Sequence, residues 1–347
     1  MKEYYAHTDF IKCPKFDAHH HYHSFNDLFV SKAKKANMRL LSINTNFEMM
    51  TIDKQFKISH YLHQRHPNTF DFIGTFDASE FASETFVDDA INCIKQNRAA
   101  GARGIKIWKN IGMTLKNEIG QYIMADHPVF APIFTFMEKE KIPVLSHLGE
   151  PRNCWLPLDK MSTDSDRRYF SKNPDFHMYL HPEVPSYEQQ IKARDHILEH
   201  YPELILVGAH LGSMEWSLEE VAKRLDRFPN FYIDISGRFN HILEHALRNR
   251  NQTFDFFETY QNRIIYGLDL SKSSRWGKWI DLLDKFFPRV YMYILFKYVY
   301  REIQKQWLFF ATDQTVKKGY ANITGLKLKK STVDRIFHQN AIDLYCK

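Results

Sequence analysis

The chain has 347 residues, 44% hydrophobic and 25% charged, a composition that excludes wholesale disorder and supplies a large core without a disulfide or metal staple. Its 47 lysines and arginines exceed its 41 aspartates and glutamates by only six, and the densest short run, Lys327 to Lys330, reads as a solvated helix end. Cys13, Cys93, Cys154 and Cys346 show no paired spacing, no apolar core of a signal peptide follows Met1, and Val290–Phe296 is far short of the ~20 residues of a membrane span. A cytoplasmic protein with no nucleic-acid or membrane partner is therefore expected.

Short apolar, β-branched runs recur in chain order: Phe16–His21, Leu40–Asn46, Phe70–Asp77, Gly104–Trp108, Pro143–His147, Leu204–His210, Phe231–Ser236 and Arg263–Asp269. Amphipathic segments lie between most of them, clearest over Thr85–Asn97, Val129–Lys141, Tyr187–His200 and Ser217–Arg227. Eight β-α units predict an α/β (β/α)₈ TIM barrel. No GxGxxG follows the first strand and no GxxxxGK[ST] occurs, which excludes dinucleotide and P-loop folds. Residues 149–185, after the fifth strand, read as a lid over the barrel mouth. Residues 271–347 read as a C-terminal helical extension packed on a single domain of residues 1–347. A homodimer is compatible with a barrel of this size.

The polar residues sit at strand ends. His19 and His21 are two apart, so strand geometry puts them on one face. His147, His210 and Asp269 each close an apolar run. In a (β/α)₈ barrel these ends converge on the face where active sites are built. Imidazole and carboxylate suit a divalent ion, Zn²⁺ first and Mn²⁺, Fe²⁺ or Co²⁺ as alternatives, which would make water acidic near neutral pH. His20 has the opposite parity and is expected to face the helices, and His23 lies past the strand at the rim.

In Gly104-Ile105-Lys106-Ile107-Trp108 the isoleucines share one face and Lys106 takes the other. Lys106 is expected inside the barrel, as a carbamylated bridge between two ions or as a cation for an acidic substrate; the alternative is a strand-end lysine reaching solvent. Lys109 is a weaker candidate. Arg152, Trp155, His177 and Arg238 are candidate substrate-binding residues, with Tyr179 a further rim residue. An arginine at Arg238 suits bidentate contact with a carboxylate. No GxSxG or catalytic cysteine signature competes with this reading.

Phe16-Asp17-Ala18-His19-His20-His21, Ser146-His147, Val207-Gly208-Ala209-His210-Leu211-Gly212 and Ile265-Tyr266-Gly267-Leu268-Asp269 together resemble the amidohydrolase superfamily, in its amidohydrolase 2 branch. The likeness runs from about residue 14 to 270, and Leu328–Tyr345 is similar to the group's closing helix. The resemblance implies one or two divalent metals and either hydrolysis or metal-assisted decarboxylation of a small molecule. It implies His19, His21 and His147 as ligands, and His210 as a ligand or as the group that polarises the substrate. It also implies Asp269 as ligand and general base, and it places Lys106 on the strand where other branches carry a carbamylated lysine. The expected reaction is water attack on an amide, ester or lactone carbonyl, with decarboxylation as the alternative and a non-catalytic metal-binding barrel as the third reading.

Overall fold

A computed structural model describes residues 3–46, 50–270, 285–318 and 321–346. Eight strands form one parallel sheet in chain order. They are β1 (Lys15–His20), β2 (Met38–Ile43), β3 (Phe70–Thr75), β4 (Ile105–Ile107), β5 (Val144–Ser146), β6 (Leu206–Gly208), β7 (Phe231–Asp234) and β8 (Ile264–Ile265). The ring closes through backbone bonds rather than a long ladder: Ala18 N–H donates to the Tyr266 carbonyl (3.1 Å), Asp269 N–H to that of His19 (2.8 Å) and His21 N–H to that of Leu270 (3.0 Å).

Helices cover the outside. They include α1 (Leu28–Lys35), α2 (Ile52–Arg65), α3 (Phe86–Ala99), α4 (Ala131–Lys139), α5 (Asp164–Lys172), α6 (Tyr187–His200), α7 (Leu218–Arg227), α8 (Phe239–Arg248) and α9 (Arg250–Thr259). Several begin on the side chains their sequences offer. Ser186 and Gln189 form a capping box on α6, and Ser217 caps α7 by accepting from Glu220 N–H. Residues pointing into the barrel form their own core of Phe16, Leu41, Ile43, Ile73, Leu145, Val207 and Ile265. Ile105 and Ile107 pack in the outer layer, which leaves Lys106 facing inward.

All eight expected strands form, but most are shorter than the apolar runs. The chain leaves the ladder where it must turn across the mouth: His210 and Leu211 after β6 and Asp269 after β8 have φ near +60°. Helix α4 begins at Ala131 after a 3₁₀ turn over Pro128–Phe130, later than the apolar pattern from Val129 implied. Segment 149–185 is a series of short 3₁₀ turns plus α5, packed on its own cluster of Met113, Cys154, Met161, Phe170 and Met178.

The C-terminal extension is not wholly helical. Helix α10 (Pro288–Ala311) runs beside α1, with Phe29 against Phe296. An antiparallel hairpin of β9 (Thr315–Lys318) and β10 (Ala321–Thr324) follows. Its strands turn Val316 and Ile323 inward and leave their neighbours more exposed, an alternation that belongs to a half-buried hairpin. Residues 271–284 of the expected extension lie outside the described residues. The closing helix α11 (residues 330–345, with a π turn at Arg335–Gln339) places Ala341 and Tyr345 in the floor of the barrel.

Candidate metal centre

The strand parity of β1 and the turn after β6 bring three side chains together at the barrel mouth. His19, His210 and Asp269 each offer a ligating atom, all within 4.8 Å of one another. His21 joins from the same strand as His19: its Nε2 lies 3.5 Å from Asp269 Oδ1, and the Nε2 of His19 lies 3.8 Å from that oxygen. The His147 ring stands edge-on to His210 at 4.4 Å between centroids. The geometry thus groups His210 with His19 and Asp269, with His21 and His147 immediately around them.

The other ring nitrogens are held. His19 Nδ1 faces Asp234 Oδ2 at 2.7 Å, His21 Nδ1 the Ile43 carbonyl at 3.0 Å, and His210 Nδ1 the Ser236 carbonyl at 2.8 Å. A carbonyl or carboxylate oxygen can only accept, so the network assigns the proton to each Nδ1 and leaves Nε2 with a free lone pair. Metal-binding histidines are oriented in this way. His147 Nε2 is buried with no hydrogen-bond partner among the described residues, Glu150 Oε2 lying 3.7 Å away.

The electrostatics agree. Burial pushes His210 down to about 3, holds His147 well below the usual imidazole range and lowers His21. Burial alone would raise Asp269, but the imidazoles of His210, His21 and His19 around it outweigh burial and hold the carboxyl well below its ordinary value. Neutral imidazoles beside an ionised carboxylate are the protonation states a divalent cation requires. Donor types, freed Nε2 atoms and the orphaned nitrogen of His147 all fit such an ion.

Asp234 is the residue the sequence reading missed. It is buried at the end of β7, and one carboxylate takes four hydrogen bonds. Oδ2 accepts from His19; Oδ1 accepts from His210 N–H (2.8 Å), Ser236 N–H (3.0 Å) and the Ser236 hydroxyl (2.6 Å). It therefore orients His19 and pins the left-handed turn that points His210 at the centre. The signal was available, since Asp234 is the one acidic residue within the apolar run Phe231–Ser236.

Lys106 is buried against this centre, and its Nζ has no hydrogen-bond partner among the described residues. Burial lowers its pKa to about 8. Lys109 is ion-paired with Glu150 at the mouth. Gly237, at φ 64°, sits so close to the centre that a Cβ there would lie 3.1 Å from Asp269 Oδ2. Arg238 follows it; among the described residues its Nη1 bonds the Gly237 carbonyl at 3.2 Å and its buried Nε has no partner. Trp155 packs on Tyr187 with its Nε1 likewise unpartnered.

Two expected rim residues are placed elsewhere. Arg152 stacks over Trp216 at 4.3 Å and lines a groove of about 470 Å³ between α6 and α7, on the outer layer rather than in the mouth. His177 is buried within segment 149–185, its Nε2 bound to the Leu156 carbonyl at 2.8 Å and its ring between Phe170 and the exposed Tyr179. Its hydrogen bond holds the segment together. His20 faces the helices as its parity requires, against Phe29 and Tyr22, with Nδ1 3.1 Å from Asp17 Oδ2. His23 lies beside His21, its Nε2 unpartnered.

The amidohydrolase family model matches residues 17–346, almost the whole chain. The chain belongs to the amidohydrolase family. Among solved structures, this family member is similar to an amidohydrolase II (TM-score 0.54, 15% identity, 96% of this chain and 100% of the other). It is also similar to 2,6-dihydroxybenzoate decarboxylase from Rhizobium (TM-score 0.53, 13% identity, 96% of this chain and 99% of the other). At these identities the likeness shows the shared barrel fold. A comparison with curated proteins finds no match.

Proposed function

We propose that this amidohydrolase-family protein is a metal-dependent hydrolase of a small amide, ester or lactone. The observation that carries the reading is Asp269. Its carboxylate is ionised, stands beside the Nε2 atoms of His19 and His21, and is one-third exposed toward the mouth. His19, His210 and Asp269 would hold the ion, with His21 and His147 completing its surroundings. A divalent ion, Zn²⁺ first by donor type, supplies Lewis acidity for a carbonyl group and for water. Asp269 takes a proton from the attacking water and returns it to the leaving atom. Asp234 keeps His19 and His210 in register. Lys106 and Arg238 orient an acidic group of the substrate, and segment 149–185 limits access of bulk water.

The test uses the metal-loaded protein with a panel of amides, esters and lactones in H₂¹⁸O. Hydrolysis puts ¹⁸O into the product acid, and Asp269→Asn should lower turnover by roughly 10²–10⁴-fold while metal content persists. Release of CO₂ from an aromatic or unsaturated acid, with no ¹⁸O incorporated, would replace the hydrolase with a decarboxylase. Full activity in the Asn variant would remove Asp269 from the role.

A further inference from the structure

The net charge of +6 hides a concentration. Helix α1 and residues 285–301 at the start of α10 pack side by side and contain no aspartate or glutamate. They carry Lys32, Lys34, Lys35, Lys285, Arg289, Lys297 and Arg301. The remaining 40 lysines and arginines face all 41 acidic residues, so these seven account for the whole excess of the chain, which is −1 without them. The same face exposes apolar side chains: Phe286 and Phe287 at 61% each, Val290 at 49% and Tyr293 at 40%. Lys285 lies over the Phe286 ring, and Lys32 and Lys297 over that of Tyr293, so cations ring the apolar patch.

A monomeric barrel gains nothing by exposing two adjacent phenylalanines in a basic collar. We propose that this face docks the enzyme peripherally on an anionic lipid surface. Phenylalanines reach the acyl boundary while lysines and arginines meet the headgroups, the chemistry of an interfacial helix. A second copy of the chain fits poorly, because a two-fold contact would set seven cations against seven. A nucleic-acid duplex fits less well than lipid, because its phosphate surface offers no apolar layer to cover the exposed Phe286, Phe287 and Val290. No described helix is long and apolar enough to cross a membrane, so the contact is superficial. Beneath the face, Met292 Sδ lies 3.6 Å from the hydroxyl of Tyr22, which anchors this part of α10 to the outer layer of the barrel.

Sedimentation of the full chain with vesicles tests this. The protein should pellet with vesicles containing about one-third phosphatidylserine, not with phosphatidylcholine alone, and should be released as salt rises. Lys285→Gln with Arg289→Gln should weaken binding about 25-fold, roughly fivefold per cation. Phe286→Ser with Phe287→Ser should weaken it at least about tenfold. All four side chains are exposed, so circular dichroism should be unchanged. No pelleting at low salt, or binding by both double variants equal to that of the parent, overturns the proposal. So does a dimer that Phe286→Ser with Phe287→Ser splits, or tighter binding to an RNA or DNA oligomer than to the vesicles.

Discussion

The two ends of the barrel treat buried charge in opposite ways. At the closed end Asp71 is fully buried and saturated: Arg39 Nε donates to it at 2.5 Å and Arg103 Nε at 2.8 Å, with His63 Nδ1 at 3.8 Å. Ala341 and Tyr345 of α11 plug that end. At the open end Lys106 Nζ, His147 Nε2 and Arg238 Nε are buried with no hydrogen-bond partner among the described residues. A buried polar atom left unpaired costs about 1–3 kcal/mol, so three of them around one centre are tolerated only where something else repays the cost. Charge that serves stability is paired within the chain. Charge that serves chemistry is left open for a ligand.

The sharpest way to break this contrast is Asp71→Ala. It strands two arginines beneath the barrel and should lower stability by about 3–5 kcal/mol in urea unfolding. Metal bound per folded chain should not change. A loss of metal at full stability would reverse the assignment of the two ends. The next effect is smaller and lies at the mouth. Asp234→Asn keeps the shape but removes the charge that fixes the His19 proton on Nδ1. Metal affinity, read by competition with a chelator, should fall about 10–100-fold. An unchanged affinity would reduce Asp234 to a backbone anchor for the His210 turn.

Where the chain follows its own period, its sequence is enough. The alternation of β1 put His19 and His21 on one face, and the Ile-Lys-Ile pattern of β4 put Lys106 inside. The amphipathic period marked α6 and α7. Apolar runs alone do not say where a ladder ends. β6 and β8 are shorter than their runs because His210 and Asp269 take left-handed turns, which depend on Asp234 and on the β1–β8 seam far away in sequence. Arg152 and His177 were misplaced for a related reason. Segment 149–185 has no period, so nothing local says which side chains turn toward the mouth and which hold the segment together. The hairpin of β9 and β10 has four residues per strand, too few for alternation to stand out. The interfacial face escaped because composition averages over 347 residues, whereas α1 and α10 meet only in the folded chain.

Lys106 gives the finest test of the contrast. Its pKa is about 8, below the ordinary 10.5, because burial disfavours the ammonium. The sign follows from linkage. Above pH 10.5 the lysine is neutral in both folded and unfolded chains and costs nothing. Between 10.5 and 8 the unfolded chain binds the proton first, so stability falls as pH falls. Below 8 the cost is fully present. Lys106→Met removes it and fills the same volume. The metal-free variant should therefore be more stable than the parent by up to about 3 kcal/mol at pH 7, and the advantage should shrink as pH rises from 8 toward 10.5. A structural lysine paired like Asp71 would behave the other way, with the variant less stable at every pH. If Lys106 is held for an acidic substrate, the same variant that gains stability should lose substrate affinity, seen as a raised KM.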